Sequence, residues 1–305
     1  MRRMPAAAGD RRGARGRAAA ASALARLASV KAPAALTKLA KLTTLTALAT
    51  LLGGCASAPL ALDRPVVLLG EVHDNTAQHA LRLAALGALL ERGARPALAM
   101  EQIDRERQPQ LDALLARQPP PDAATVAAAV VDKSWNRAFY EPYIALALRY
   151  RLPIVAANVG RDEARRVMRE GLAAAGFDAA VPAPLLAAQA HDIEQGHCGA
   201  LDAATAQRMA LAQVARDQFM ARVLERHAAR GVVLLAGNGH VRSDIGAPHW
   251  LDAATRARSE AIGLVEQGED DDGHYDRRLV TPRQPRADPC AALRRPGAPA
   301  PRPAA

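Results

Sequence analysis

The sequence predicts an α/β protein: a mostly parallel sheet flanked by helices, with an inserted helical subdomain or lid over one edge. Three observations carry this expectation. Short continuous apolar runs recur at 64–69 (RPVVLL), 95–100 (RPALAM), 152–157 (LPIVAA) and 231–237 (GVVLLAG), bounded by Pro, Gly or polar residues, as strands buried on both faces require. Helix-like segments lie between them, and strand alternating with helix argues for a parallel sheet. Two intervals, 104–151 and 172–230, are long for crossovers and hold several helices each.

Each element has its own signal. The first strand runs into "GEVHDN", where Asn75 or Thr76 caps a helix expected over 76–92. Helices are expected at 104–116, 122–131 and 141–151, the last with Pro142 in its first turn, where a missing N–H is harmless. Further helices are expected at 161–171 and 202–230, and a fifth strand at 260–267 (EAIGLVEQ). From Gly268 to residue 305 the chain is a polar tail, and its last part, from about Leu293, is rich in Pro, Arg and Ala and reads as disordered.

The formal charge of +9 hints at nucleic acid until it is located. Residues 1–54 hold ten basic residues and one acid, which leaves 30 basic against 30 acidic in the rest. A formally neutral body excludes nucleic acid as an expected partner. The basic start, the apolar run "LTTLTALATLL" (42–52) and "LLGGCAS" form a secretory signal, too short in its apolar part to span a membrane. Leu52, Gly53 and Gly54 before Cys55 resemble a bacterial lipobox, which makes 1–54 a lipoprotein signal peptide, Cys55 the lipidated residue, 55–64 a linker and 65–267 the folded domain. Ala56 after the cysteine, in place of an acidic residue, resembles bacterial lipoproteins sorted to the outer membrane, which implies a place there facing the periplasm. Export permits disulfides, so Cys198 and Cys290 either pair, stapling the tail to the body, or stay as two separate thiols.

In a parallel sheet the carboxyl ends of the strands line one crevice, where ligands bind. After the strands come Glu71 and His73, then Glu101, then Asn158, then Asn238 and His240. A neutral imidazole binds a metal or acts as a base, and a carboxylate tunes it. His73, Glu101 and His240 therefore suit either catalysis or a divalent metal with an open position, with Glu71 orienting one of them. Arg216 and Asp217 form an internal ion pair or orient the crevice. Arg242 and Asp244 support it or cap a loop. His197 beside Cys198 is a weak soft-metal pair, and His79, His227 and His274 are expected to face solvent.

The motifs "LLGEVHDN", "AMEQ", "VDKSWNRAFYEPY", "PIVAANVGR", "GHCGAL", "AQVARDQFMA" and "GNGHVRSDIGAPHWL", in this order, resemble the ChaN-like lipoproteins over about Pro65 to Val265. The resemblance implies an iron-regulated, haem-binding lipoprotein with an α/β sheet and a helical subdomain, acting in haem or iron uptake. It also implies a homodimer with tyrosine ligation of haem at its interface, serving an outer-membrane haem transporter. The same superfamily includes Tiki and TraB-like proteins with paired GxxH motifs, here Gly70 to His73 and Gly237 to His240. Glu101, 28 positions beyond His73, is similar in placement to the glutamate of erythromycin esterases, in which the histidine is a general base.

Ferric haem suits tyrosinate or histidine as ligand, and basic or hydrogen-bonding groups for its propionates. Tyr140, Tyr143 and Tyr150 fall in one helical segment, and Tyr143 and Tyr150, seven apart, share a face. Lys133 is the only lysine after residue 54, and with Arg216, Glu71, Asn158 and Asn238 it completes the set of candidate haem contacts. Three functions stay open at this point: haem capture and hand-over, a periplasmic metal-dependent hydrolase (or a metal-free esterase with His73 as base), and a non-catalytic scaffold.

Overall fold

The computed structural model describes residues 60–269 and 273–291. The expected signal peptide, the expected lipidation site Cys55 and the end from Leu293, expected to be disordered, lie outside the described residues. Six strands, β1 (Val66–Leu69), β2 (Ala97–Asp104), β3 (Ile154–Asn158), β4 (Val232–Leu235), β5 (Ser259–Glu266) and β6 (Arg277–Thr281), form one sheet. Their order is β3-β2-β4-β1-β5-β6, and every neighbouring pair is parallel.

Side chains alternate across the strands, which sorts the core into two layers. Val67, Leu69, Leu98, Met100, Ile154, Ala156, Val233 and Leu235 enter one buried cluster. Val66, Leu68, Ala97, Ala99, Val155, Ala157, Val232 and Leu234 enter the other. Both faces are therefore covered, as the unbroken apolar runs require.

The first face is covered by α1 (Thr76–Glu91), α2 (Gln108–Leu115), α3 (Ala123–Val130) and α4 (Arg137–Tyr150). The interval 104–151, where the sequence suggested a helical subdomain or lid, packs its helices on this face. Asn136 caps α4 by accepting the Ala138 N–H at 3.3 Å, so the helix begins a turn early and Pro142 lies inside it. There the proline removes one interior hydrogen bond instead of opening the helix.

The second face is covered by the carboxyl half of α7 (Ala203–His227), through Met220, Val223 and Leu224. Its amino half packs on α6 (Ala183–Gly196) through Ala190, Ile193, Ala206 and Ala210. At ~1.5 Å per residue this helix is roughly 37 Å long, so its carboxyl half serves the sheet while its amino half pairs with α6. The remaining helices are α5 (Arg161–Glu170), α8 (Asn238–Val241) and α9 (Ala253–Arg256).

Two boundaries differ from expectation. Leu60 and Leu62 of the expected linker are buried, because the arm packs into the first core cluster. The polar tail contributes β6, an edge strand whose alternating exposed residues gave no continuous apolar run. Beyond β6, Cys290 is disulfide-bonded to Cys198 in the turn after α6.

Candidate functional site

Alternation along the strands decides where the acidic residues go. Glu71 continues the parity of Val67 and Leu69 toward α1 and α4, whereas Glu101 continues that of Ala97 and Ala99 toward α7. The two carboxylates therefore head separate polar clusters, one on each face of the sheet.

On the first face Glu71 is buried and forms an ion pair with the equally buried Arg82 of α1. Arg82 also donates to the Leu69 carbonyl at 2.9 Å. The Tyr140 hydroxyl donates to Glu71 Oε1 at 2.6 Å, and His73 Nδ1 lies 3.0 Å from the same oxygen. A carboxylate ion-paired to an arginine accepts hydrogen bonds, so Nδ1 carries the proton and Nε2 keeps its lone pair. The His73 side chain is 51% exposed. Burial and the neighbouring His240 charge hold it below the ordinary imidazole value, with Glu101 pulling the other way, so it is neutral near pH 7.

His73 also has fixed neighbours. Trp135 meets its ring edge-on at 4.6 Å. Behind it, a Cβ on Gly237 would come within 2.7 Å of His73 Cε1. Reciprocally, a Cβ on Gly70 would lie 2.3 Å from Asn238 Oδ1. The glycine of each GxxH motif thus makes room for the other motif's element, a physical reason for their pairing.

On the second face His240 of α8 is gripped from both sides. Its Nδ1 lies 2.6 Å from Asp217 Oδ1 and its Nε2 lies 3.4 Å from Glu101 Oε1. Burial alone pushes the ring down, but the two carboxylates outweigh it and raise His240 to about 10. Burial likewise pushes Glu101 up, yet His240, His73 and the Gly237 N–H at 2.7 Å hold it at about 2. Asp217, raised chiefly by burial, accepts from Gln189 Nε2 at 2.8 Å. Both ring nitrogens of His240 thus face carboxylates, which favour the imidazolium. Among the described residues no group of three or more His, Cys, Asp or Glu is arranged to hold a metal ion, the expected His73, Glu101 and His240 set included.

Between the clusters, a cavity of about 270 Å³ is lined by His73, Glu101, Asn158, Arg161, Arg216 and His240 among others. A second, of about 410 Å³, lies on the other side of His73 and Trp135, against Phe139 and Tyr140.

The family model for haem-binding uptake proteins of the Tiki superfamily, ChaN, matches residues 60–251. This chain belongs to the ChaN family. The structure of cofacial haem binding to ChaN of Campylobacter jejuni is similar to it, with 23% identity, a TM-score of 0.59, and coverage of 70% of this chain and 86% of that one. More distant likenesses are an erythromycin esterase in its open conformation, with 13% identity, a TM-score of 0.37 and coverage of 67% and 70%, and a succinoglycan biosynthesis protein, with 13% identity, a TM-score of 0.38 and coverage of 67% and 66%. No curated protein matches this chain.

Of the three expected tyrosines, two face inward. Tyr140 and Tyr143 are 1% and 0% exposed. Tyr140 is committed to Glu71, and Tyr143 donates to the His79 carbonyl at 2.9 Å. Burial raises both phenols, with Arg82 opposing. Tyr150 lies at the far end of α4 with the guanidinium groups of Arg95 and Arg149 over its ring, remote from the crevice.

The other expected contacts divide. Asn158 lines the cavity and donates to Asp104 at 2.9 Å. Asn238 instead clamps the backbone of β5, through Leu264 O at 2.6 Å and Leu264 N at 3.1 Å. Arg216 lines the cavity and donates to Gln213 at 2.8 Å, while Asp217 turns to His240, so their ion pair does not form. Lys133 is exposed on the loop between α3 and α4, flanked by the cavity residues Asp132 and Ser134.

Arg242 pairs with Asp244 at 2.7 Å and with Asp192 at 3.0 Å, tying the loop after α8 to α6. His79, expected in solvent, is buried with Nε2 2.9 Å from the His73 carbonyl. His227 is partly buried and His274 is exposed. Cys198, already in a disulfide, has no thiolate for a metal pair with His197.

Proposed function

We propose that the protein binds haem in this crevice with His73 Nε2 as axial ligand to iron. The observation that carries the reading is the state of His73: half-exposed, neutral near pH 7, its Nδ1 proton engaged by a buried carboxylate and its Nε2 free. That is how proteins orient a histidine that ligates a metal. Trp135 and Phe139 supply apolar surface beside it, and Arg161 and Arg216 supply positive charge for the propionates. Haem is then cargo, taken up and handed on without bond chemistry by the protein.

A haem on His73 presents its other face to solvent, and a second copy of the chain covers that face in a dimer. Cofacial haem binding in ChaN of Campylobacter jejuni is consistent with such an arrangement. Anchoring through lipid on Cys55 at the outer membrane, facing the periplasm, places the protein beside a haem transporter.

One observation bears on the hydrolase alternative: His73 Nε2 could equally serve as a general base. His240 and Glu101, its expected partners, are engaged with Asp217, Gly237 and each other, so the haem reading uses more of what the geometry offers. Titrating hemin into the chain from residue 56 onward tests it. A saturable, shifted Soret band at fixed stoichiometry, with a doubling of mass by sedimentation, is expected. A spectrum that stays that of free hemin would reject the proposal.

A further inference from the structure

The tail beyond β6 is stitched along the rim of the crevice. The Pro282 carbonyl accepts from Asn75 Nδ2 at 2.9 Å, and the Gln284 N–H donates to the buried Glu266 at 3.0 Å. Arg286 grips both Glu266 and Asp74, with donor to acceptor distances of 2.7 Å and of 2.9 and 2.6 Å respectively. Asp74 is the residue after His73. Four residues further on, Cys290 is bonded to Cys198, at the tip of the α6–α7 hairpin.

Extended chain covers at most ~3.6 Å per residue. The segment from Arg286 to Cys290 therefore reaches no more than about 14 Å, and it draws the hairpin tip toward the rim beside His73. Beneath that hairpin lies a cavity of about 270 Å³, lined by Gln189, Gly196 and His197 on one side and Asp217, Gly239 and His240 on the other. The tip has a thin core of its own, made of Ala190, Ile193, Ala206 and Ala210. Besides the disulfide, the Arg242 to Asp192 pair is a tie between α6 and the body. Residues 285–289 are exposed, and both cysteines are partly exposed, within reach of a solution thiol.

We propose that residues 282–290 form a strap, clasped by the Cys198–Cys290 bridge, which holds the α6–α7 hairpin closed over the His240 side of the crevice, and that a dithiol reductant opens it. One thiolate of the dithiol attacks a sulfur of the bridge. A mixed disulfide forms, and the other cysteine leaves as a thiolate and takes up a proton. The second thiol of the reductant then displaces the first cysteine, giving two cysteine thiols and one oxidised dithiol, with two electrons transferred. With the clasp open, the hairpin keeps its thin core, the Arg242 pair and the Gln189 Nε2 hydrogen bond to the Ile245 carbonyl at 2.9 Å. The consequence for haem, faster exchange with an acceptor, rests on the function proposed above.

Hydrogen exchange reads the clasp without any ligand. Reduction by dithiothreitol is expected to speed amide exchange across 189–210 by on the order of tenfold, with β1, β2 and β4 unchanged. The Cys198→Ser/Cys290→Ser and Arg286→Gln variants, each of which cuts one anchor of the strap, are expected to do the same. These variants should also release hemin to apomyoglobin on the order of tenfold faster than the oxidised protein. Equal exchange in the oxidised and reduced hairpin would overturn the clasp, as would a loosened hairpin with unchanged hemin release. If no form binds hemin, the function proposal fails, and the clasp is decided by hydrogen exchange alone.

Discussion

At the scale of single residues, the site depends on one buried charge pair. Glu71 and Arg82 are both fully shielded from water, so each is tolerated only because the other is present. Replacing Arg82 by Met leaves a buried carboxylate without its counter-charge and should cost about 3–5 kcal/mol in denaturant unfolding. Adding Glu71→Gln should recover much of that loss, and a double variant as unstable as the single would refute the pairing.

Protonation of His73 competes with iron. Since its pKa lies below the free value of 6.5, hemin affinity should hold at neutral pH and fall as pH drops below that value. A titration series flat through the acid range would remove His73 as ligand. The sequence placed His73, Glu101 and His240 near one another through strand ends alone. It hid Arg82 and His79, because a charged residue in a helix reads as solvent-facing. The clue was position: Gln78, His79 and Arg82 share one face of α1 with the buried Ala85 and Leu86.

At the scale of elements, the two GxxH turns interlock. A methyl group at Gly237 would strike the His73 ring at 2.7 Å, while β4 itself ends two residues earlier. Gly237→Ala should therefore leave the fold standing, tilt the imidazole, and weaken hemin binding by on the order of tenfold, the equivalent of about 1.4 kcal/mol. Unchanged affinity with unchanged stability would mean that His73 is free to move, contrary to the geometry.

The first four strands were legible as apolar runs because a parallel sheet buries both faces. β6 was not, since an edge strand with Arg278 and Val280 exposed carries no such run. Helix α4 was legible as a helix, yet the inward turn of Tyr140 and Tyr143 was not. An aromatic residue at helical spacing fits a core or a binding face equally well until its hydroxyl finds a partner.

At the scale of the whole molecule, the charge excess and the folded body belong to different parts of the chain. The excess of basic residues sits in residues 1–54, ahead of Cys55, and the body is formally neutral. Among the described residues no helix is long and apolar enough to cross a membrane, and the proposed attachment is through lipid on Cys55. Cys55→Ser should abolish labelling by radioactive palmitate and move the protein from the membrane to the soluble fraction. Persistence in the outer-membrane fraction would point to another anchor. The parallel sheet brings His73, Glu101, Arg216 and His240 to one edge from distant parts of the sequence, and the alternation of its strands sends Glu71 and Glu101 to opposite faces. That division sets His73 against Glu71, and His240 against Glu101 and Asp217.

The central claim is that His73 ligates haem iron, and hemin titration of His73→Ala beside the unaltered chain tests it most directly, with Tyr140→Phe and Tyr143→Phe as companions. The structure predicts that His73→Ala loses the saturable Soret shift while both tyrosine variants keep it. A full, saturable band in His73→Ala, or its loss in a tyrosine variant that still folds, would contradict the assignment.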